Sequence, residues 1–210
     1  MEKKGIIFDM DGTIWDSAAA VAKCWDEVVQ KDSAVSRRIT TEDVMGVMGK
    51  TMDKIAEALF PDLTPADRMR LLDSCCAAEN AYLLEHGAIL YPDLEQTLCA
   101  LQKDYHLYIV SNCQKGYIEA FLDHYNFWHF FEDIECYGNN TLSKGDNIRL
   151  LADRNGLTKA VYVGDIQGDY DAATQAGVSF IHAAYGFGRV NADVPRIHTF
   201  SELTTVVQMV

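Results

Sequence analysis

The run Gly5-Ile6-Ile7-Phe8 constrains this chain more than any other stretch, because it leads directly into Asp9-Met10-Asp11-Gly12-Thr13. Consecutive large apolar side chains with no alternation read as a strand covered on both faces, the condition of a parallel sheet flanked by helices. Open sheets of that kind bind ligands in the crevice beyond the carboxyl ends of their strands, where Asp9 and Asp11 fall. Gly12 lets the backbone turn sharply, so the carboxylates can face one small volume. Like charges that close are relieved when a cation joins them or when one carboxyl takes a proton. The first arrangement is a metal site and the second an acid beside a base; phosphoryl transfer needs both. A solvated turn or a helix cap would carry the same letters, so the weight of the motif rests on the residues downstream.

Downstream, two regimes alternate. Helical patterns cover 17–30, 40–49, 51–60 and 64–87, with no strand expected between 15 and 88. Strand and helix signals then take turns: Leu107–Val110, Asp133–Cys136, Ala160–Val163 and Val178–His182 read as strands. Helices over 93–103, 114–125, 144–155, 168–176 and 201–207 separate or succeed them. Strands spaced by helices of this length imply βαβ crossovers. The expected fold is α/β, a doubly wound parallel-sheet, Rossmann-like core over 1–14 and 89–210, with an inserted all-helical cap domain over 15–88.

The net charge of −13 over 210 residues argues against nucleic acid and anionic membrane as partners. No apolar run approaches the length of a membrane span, and no segment reads as a signal peptide. The cysteines, Cys24, Cys75, Cys76, Cys99, Cys113 and Cys136, form no Cys-x-x-Cys pair. Reduced thiols in a cytoplasmic protein are therefore expected; a monomer or small homo-oligomer is expected as well.

Each remaining chemical signal comes after a strand. Ser111-Asn112 sits between a strand and a helix, where a hydroxyl and free N–H groups make an anion cradle or a plain cap. Gly164-Asp165-Ile166-Gln167-Gly168-Asp169 places more carboxylates at another strand end. Lys144 lies in the polar stretch 139–145, where a solvated lysine is the ordinary reading. Taken in order, these motifs resemble those of the haloacid dehalogenase superfamily over the whole chain. The helical insertion is similar to the small cap of its phosphoglycolate phosphatase and β-phosphoglucomutase members.

That resemblance implies Asp9 as the nucleophile, forming an aspartyl-phosphate, and Asp11 as general acid and then base. It implies Mg²⁺ held by the Asp9 carboxylate, the Asp11 carbonyl and Asp165, with Asp169 supporting a water or Lys144. Ser111, the Asn112 N–H and Lys144 would neutralise phosphoryl oxygens of a small phosphorylated metabolite. Two positions depart from the family: Gly145 stands where proline usually succeeds the lysine, and Ile166 where threonine often succeeds the metal aspartate. In Gly49-Lys50-Thr51, resembling the cap loop that reaches over the site, Lys50 either meets the leaving group or stays solvated. A Mg²⁺-dependent phosphatase is the expected activity. A phosphosugar mutase shares every core motif, a phosphonatase would need a cap lysine (Lys23, Lys50 or Lys54), and a non-catalytic binding protein can share the fold.

Overall fold

The computed structural model describes residues 2–209. The chain runs β1 (Lys4–Phe8), β2 (Trp15–Asp16), α1 (Ala18–Val29), α2 (Thr41–Met45), α3 (Met52–Leu59) and α4 (Pro65–His86). It continues through β3 (Ile89–Leu90), α5 (Leu94–Leu101), β4 (His106–Ser111), α6 (Tyr117–Tyr125), β5 (Asp133–Cys136) and α7 (Tyr137–Asn140). The last part comprises α8 (Lys144–Arg154), β6 (Lys159–Gly164), α9 (Gln167–Ala176), β7 (Ser179–Ala183), β8 (Arg196–Ile197) and α10 (Leu203–Val206).

Six strands form one parallel sheet in the order β5-β4-β1-β6-β7-β8. The chain moves outward from β1 to β4 and β5, then returns to β1's other side with β6. The crevice at this reversal opens at the carboxyl end of β1, as expected of a doubly wound sheet. Alternate side chains of each strand enter different cores. Ile6 and Phe8 pack with Ile109, Val163 and Ile181 beneath α5, α6 and α10. Ile7 faces the other way, with Tyr108, Val110 and Tyr162 against α8 and α9. The unbroken apolar run at the start of the chain is thus buried on both sides.

Helices α1 to α4 carry a core of their own, built on Val21, Trp25, Val44, Ile55, Leu59 and Leu72. Thr40 opens α2 by accepting from the Asp43 N–H while the Asp43 carboxylate accepts from the Thr40 N–H, a reciprocal cap that stabilises a short helix. Pro65 begins α4 after the Thr64 cap, and Gly87, at φ +65°, ends it.

The structure departs from the sequence expectation in several places. Trp15–Asp16 is a strand, pairing antiparallel with Ile89–Leu90, so the segments entering and leaving the helical insertion form a small ribbon. Two residues are too few for a periodic signal. The Trp15 ring is fully buried in the main core, edge-on to Phe121 at 5.0 Å between ring centres. Strand β8 is a second unexpected element; Arg196–Ile197 joins the sheet edge by pairing with His182–Ala183. Within the polar stretch before Lys144, Tyr137–Asn140 is helical.

Candidate active site

Asp9 leaves the end of β1 almost fully buried, its N–H donating to the Val163 carbonyl at 2.9 Å. Lys144 is the first residue of α8, whose opening turn is capped by Ser143 accepting from the Asp146 N–H. From there the Lys144 ammonium reaches Asp9 Oδ1 at 2.9 Å and Asp169 Oδ1 at 2.6 Å. Although buried, it is flanked by carboxylates that hold its pKa above the ordinary lysine range. The solvated-lysine alternative is therefore excluded by position.

Asp169 has both oxygens engaged, since its Oδ2 accepts from the N–H groups of Asp165 (3.0 Å) and Ile166 (3.1 Å). Asp165 Oδ2 accepts from the Phe187 N–H at 2.7 Å, and its carbonyl accepts from His182 Nε2 at 3.1 Å. Because a carbonyl only accepts, His182 carries its proton on Nε2. Gly12 adopts φ +81°, and a Cβ there would lie 2.1 Å from Asp165 Oδ2. Glycine is what lets the loop after β1 close on that carboxylate.

Asp9, Asp165 and Asp169 each offer an oxygen within 4.8 Å of the others. One ammonium faces these three acids, so the pocket is over-supplied with negative charge. Burial first, then repulsion from Asp169, pushes the Asp9 carboxyl up to about 7. The same causes, in the same order, raise Asp165 well above the usual carboxylate range. A hard divalent cation fits this donor set. With both its oxygens already bonded, Asp169 suits support of Lys144 and of the Asp165 backbone better than direct ligation.

Asp11 faces elsewhere. Its Oδ1 accepts from Ser17 Oγ at 2.5 Å and from the Tyr117 hydroxyl at 2.6 Å. Burial raises its pKa, while the bonds from Ser17 and Tyr117 pull it back down. Ser17 precedes α1 in the cap position yet makes no side-chain cap bond. The buried carboxylate is the stronger acceptor and takes the hydroxyl instead.

Asp9 and Asp11 border a small cleft between the sheet and the helical insertion, lined also by Ser111, Asn112, Lys50 and Glu79. Ser111 is buried. The Asn112 side chain donates to the Gly49 carbonyl at 2.8 Å, tying the cap loop to the sheet. A Cβ on Gly49 would sit 2.4 Å from Ile166 Cδ1, so the residue that departs from the family's threonine packs against the cap loop. Lys50 borders the cleft with its side chain exposed. Helix α4 rests on α6, with Asn80 donating to the Lys115 carbonyl and accepting from Gln114.

The structure brings Asp9, Lys144, Asp165 and Asp169 into direct contact or close approach, sets Asp11 beside them, and places Ser111, Asn112 and Lys50 on the same cleft. Sequence reasoning missed Tyr117, His182, Glu79 and the role of Ser17. Tyr117 and Glu79 lie on helix faces and His182 in a strand, where nothing local distinguishes them from packing residues, and Ser17 reads locally as a helix cap. The loop Tyr185-Gly186-Phe187-Gly188, which by sequence either lines the crevice or merely turns, lines it through the Phe187 N–H.

The model of the haloacid dehalogenase-like hydrolases matches residues 6–183. A phosphoglycolate phosphatase of Aliivibrio fischeri is 29% identical over 88% of this chain and 85% of its own length. That of Escherichia coli K12 is 26% identical over 88% and 82%. Among solved structures, a haloacid dehalogenase-like family hydrolase of Streptococcus pneumoniae superposes with a TM-score of 0.81 at 21% identity, covering 99% of both chains. CbbY of Rhodobacter sphaeroides, solved with phosphate, gives 0.77 at 20% identity over 97% and 96%.

Proposed function

We propose, from the premise that the chain belongs to the haloacid dehalogenase-like hydrolase family and is a phosphoric monoester hydrolase, that it hydrolyses small phosphorylated metabolites through a covalent intermediate on Asp9 and depends on Mg²⁺. The observation carrying this reading is the buried Lys144 ammonium bridging Asp9 and Asp169, with the Asp165 carboxylate close by. A merely structural ion pair would balance its charges; this one leaves carboxylates in excess beside an open cleft.

In the proposed reaction an Asp9 carboxylate oxygen attacks phosphorus and the bond from phosphorus to the ester oxygen breaks. The departing alkoxide takes a proton from Asp11, whose burial shifts its pKa upward, toward the protonated form an acid needs. Water then attacks the same phosphorus, Asp11 recovers a proton from it, and the bond to Asp9 breaks to release phosphate. Lys144, with the Ser111 hydroxyl and the Asn112 N–H, would hold the phosphoryl oxygens in place. Ser17 and Tyr117 would orient Asp11 toward the leaving group. Asp9, Asp165 and the Asp11 carbonyl would hold Mg²⁺, which supplies electrophilic stabilisation of phosphoryl charge when bound. Asp169 would keep Lys144 and Asp165 in register.

A panel of phosphate esters assayed with Mg²⁺ and with excess chelator tests this. Phosphate release that needs Mg²⁺, with Ca²⁺ a poor substitute, is the expected result. Full turnover in chelator would overturn the metal assignment. Isomerisation of a sugar phosphate with little phosphate released would replace the phosphatase reading with the mutase one.

A further inference from the structure

Glu79 projects from the middle of α4 into the same cleft, with only 3% of its surface exposed, and the proposed chemistry makes no use of it. Its Oε2 accepts from Trp25 Nε1 at 2.6 Å. No structural ion pair explains it, for no lysine or arginine bonds it among the described residues. The Gln114 amide also faces this carboxyl, yet an indole and an amide still leave acceptor sites of a buried carboxyl unused, and in a folded protein such groups are normally satisfied. The rest of the cap wall around it is apolar, with Val21, Val44, Val47, Met52 and Ile55 lining the cleft.

The charges along the cleft narrow what completes that site. Asp9, Asp11 and Glu79 are its acids, and Lys50, which is exposed, is its one lysine or arginine among the described lining residues. Lys144 is already shared by Asp9 and Asp169. A carboxylate on the leaving group would enter a desolvated space beside Asp11 and Glu79 with no buried cation to pair it, which is costly. A hydroxyl meets no such penalty. It donates to an ionised Glu79 and both donates to and accepts from a protonated one, so the match holds in either state.

We infer that Glu79 is the specificity-determining residue of this cleft, hydrogen-bonding a hydroxyl on the leaving group and selecting hydroxyl-bearing phosphate monoesters over carboxylate-bearing ones. The inference rests on the phosphatase reading above and adds the class of substrate to it. Apolar contacts from the cap wall hold the carbon skeleton, and Glu79 reads its polar substituent.

Short alkyl, hydroxyalkyl and carboxyalkyl monophosphates of matched length test this, with p-nitrophenyl phosphate as a general reporter of the core chemistry. Wild-type protein with Mg²⁺ should favour the hydroxyalkyl ester over the carboxyalkyl one by about tenfold or more in kcat/KM, the scale of one hydrogen bond made or left unmet in a buried site. Glu79→Leu should lower the hydroxyalkyl-to-alkyl ratio by about tenfold, mainly through KM, while Glu79→Gln, which keeps an acceptor for Trp25 and a donor for the hydroxyl, should preserve most of it. Ratios between esters within one variant cancel any general loss of folded protein, and the wild-type preference stands as a test even if Glu79→Leu does not fold. Faster hydrolysis of the carboxyalkyl ester, or ratios unchanged in Glu79→Leu, overturns the inference while leaving the phosphatase reading intact. Absence of phosphate release from every ester, p-nitrophenyl phosphate included, overturns both.

Discussion

At the sheet end of the cleft, Asp9, Asp165 and Asp169 each accept from a fixed donor supplied by another segment of the chain: Lys144, the Phe187 N–H, or the N–H groups of Asp165 and Ile166. At the cap end, Glu79 has Trp25, and the cap wall lining the cleft beside it is aliphatic. The first is a prearranged electrostatic site, in which little must move as charge develops. The second is a shaped pocket with isolated polar groups, where small changes of side chain alter which molecule fits. One end is suited to a reaction common to a family and the other to a substrate particular to one member.

Substitution at Asp9 should break the comparison most severely. Asp9→Asn is expected to lower kcat by about 10⁴-fold or more, the scale on which removing a nucleophile from a cooperating set acts. The same variant should melt no lower than wild type in metal-free buffer, since it removes one of several mutually repelling buried carboxylates. Turnover near the wild-type rate would remove Asp9 from its proposed role. A large loss of stability would show that the sheet end is held together by Asp9 rather than strained by it.

The cap end should show its own signature in pH. Burial pushes the Glu79 carboxyl from 4.5 up to about 8, the Trp25 bond lowering it and Asp11 raising it further. The unfolded chain gives up that proton at the lower pH, so between these limits the folded state holds more protons than the unfolded one. Stability associated with Glu79 is then complete below about 4.5 and lost as pH rises through about 8. Measured against Glu79→Gln by denaturant unfolding, wild type should lose on the order of a few kcal/mol across that window. A difference between the two proteins that stays flat with pH would mean Glu79 remains ionised in the fold. The titratable groups facing it, Asp11, Tyr117, Cys24, Cys75 and Cys76, are common to both proteins.

How much of each end is legible in the sequence depends on how each is encoded. Asp9, Asp11, Ser111, Asp165 and Asp169 stand directly after strands or in the helix turn beyond, so the parallel sheet brings them to one crevice once the strand order is known. Ile6, Ile7 and Phe8 reveal two covered faces because no polar residue interrupts them. Glu79 and Tyr117 give no such signal. Each sits within a helix, where a single polar residue is usually solvated, and what buries it is a different helix reached only after folding. Ser17 misleads for a related reason, as its hydroxyl has a plausible local partner and a stronger distant one. The short β2–β3 ribbon is invisible because residues Trp15 and Leu90 are far apart in the chain and pair over too few positions to leave a pattern.

Tyr117 connects the two ends, its hydroxyl bonding Asp11 from a helix against which the cap helix rests. Tyr117→Phe removes that bond and leaves Ser17 to hold the carboxylate. A loss of about tenfold in kcat is expected, the worth of one hydrogen bond to a charged group. It should be similar for all esters, because in the proposed reaction Asp11 acts at the ester oxygen they share. A loss confined to certain esters would move Tyr117 from the reaction to recognition.

Lys50 should give the smallest effect and sharpen the distinction furthest. It borders the cleft from the loop after α2, but its exposure leaves it hydrated and screened, unlike Lys144. An ion pair formed at such a position is worth about 0.2–1 kcal/mol, roughly a factor of 1.4 to five. Lys50→Ala should therefore lower kcat/KM for carboxyalkyl esters by about threefold, and less for hydroxyalkyl ones. The release of phosphate from the proposed covalent intermediate, monitored in a single turnover, should be unchanged, because the leaving group has gone by then. Added salt should act like the substitution, lowering wild-type turnover of carboxyalkyl esters and so widening the preference for hydroxyalkyl ones, as exposed charges are screened over about 10 Å at 0.1 M. An equal loss for every ester would show that Lys50 acts on the phosphoryl group itself, and the division between a sheet end for chemistry and a cap end for selection would have to be redrawn at the Gly49 loop.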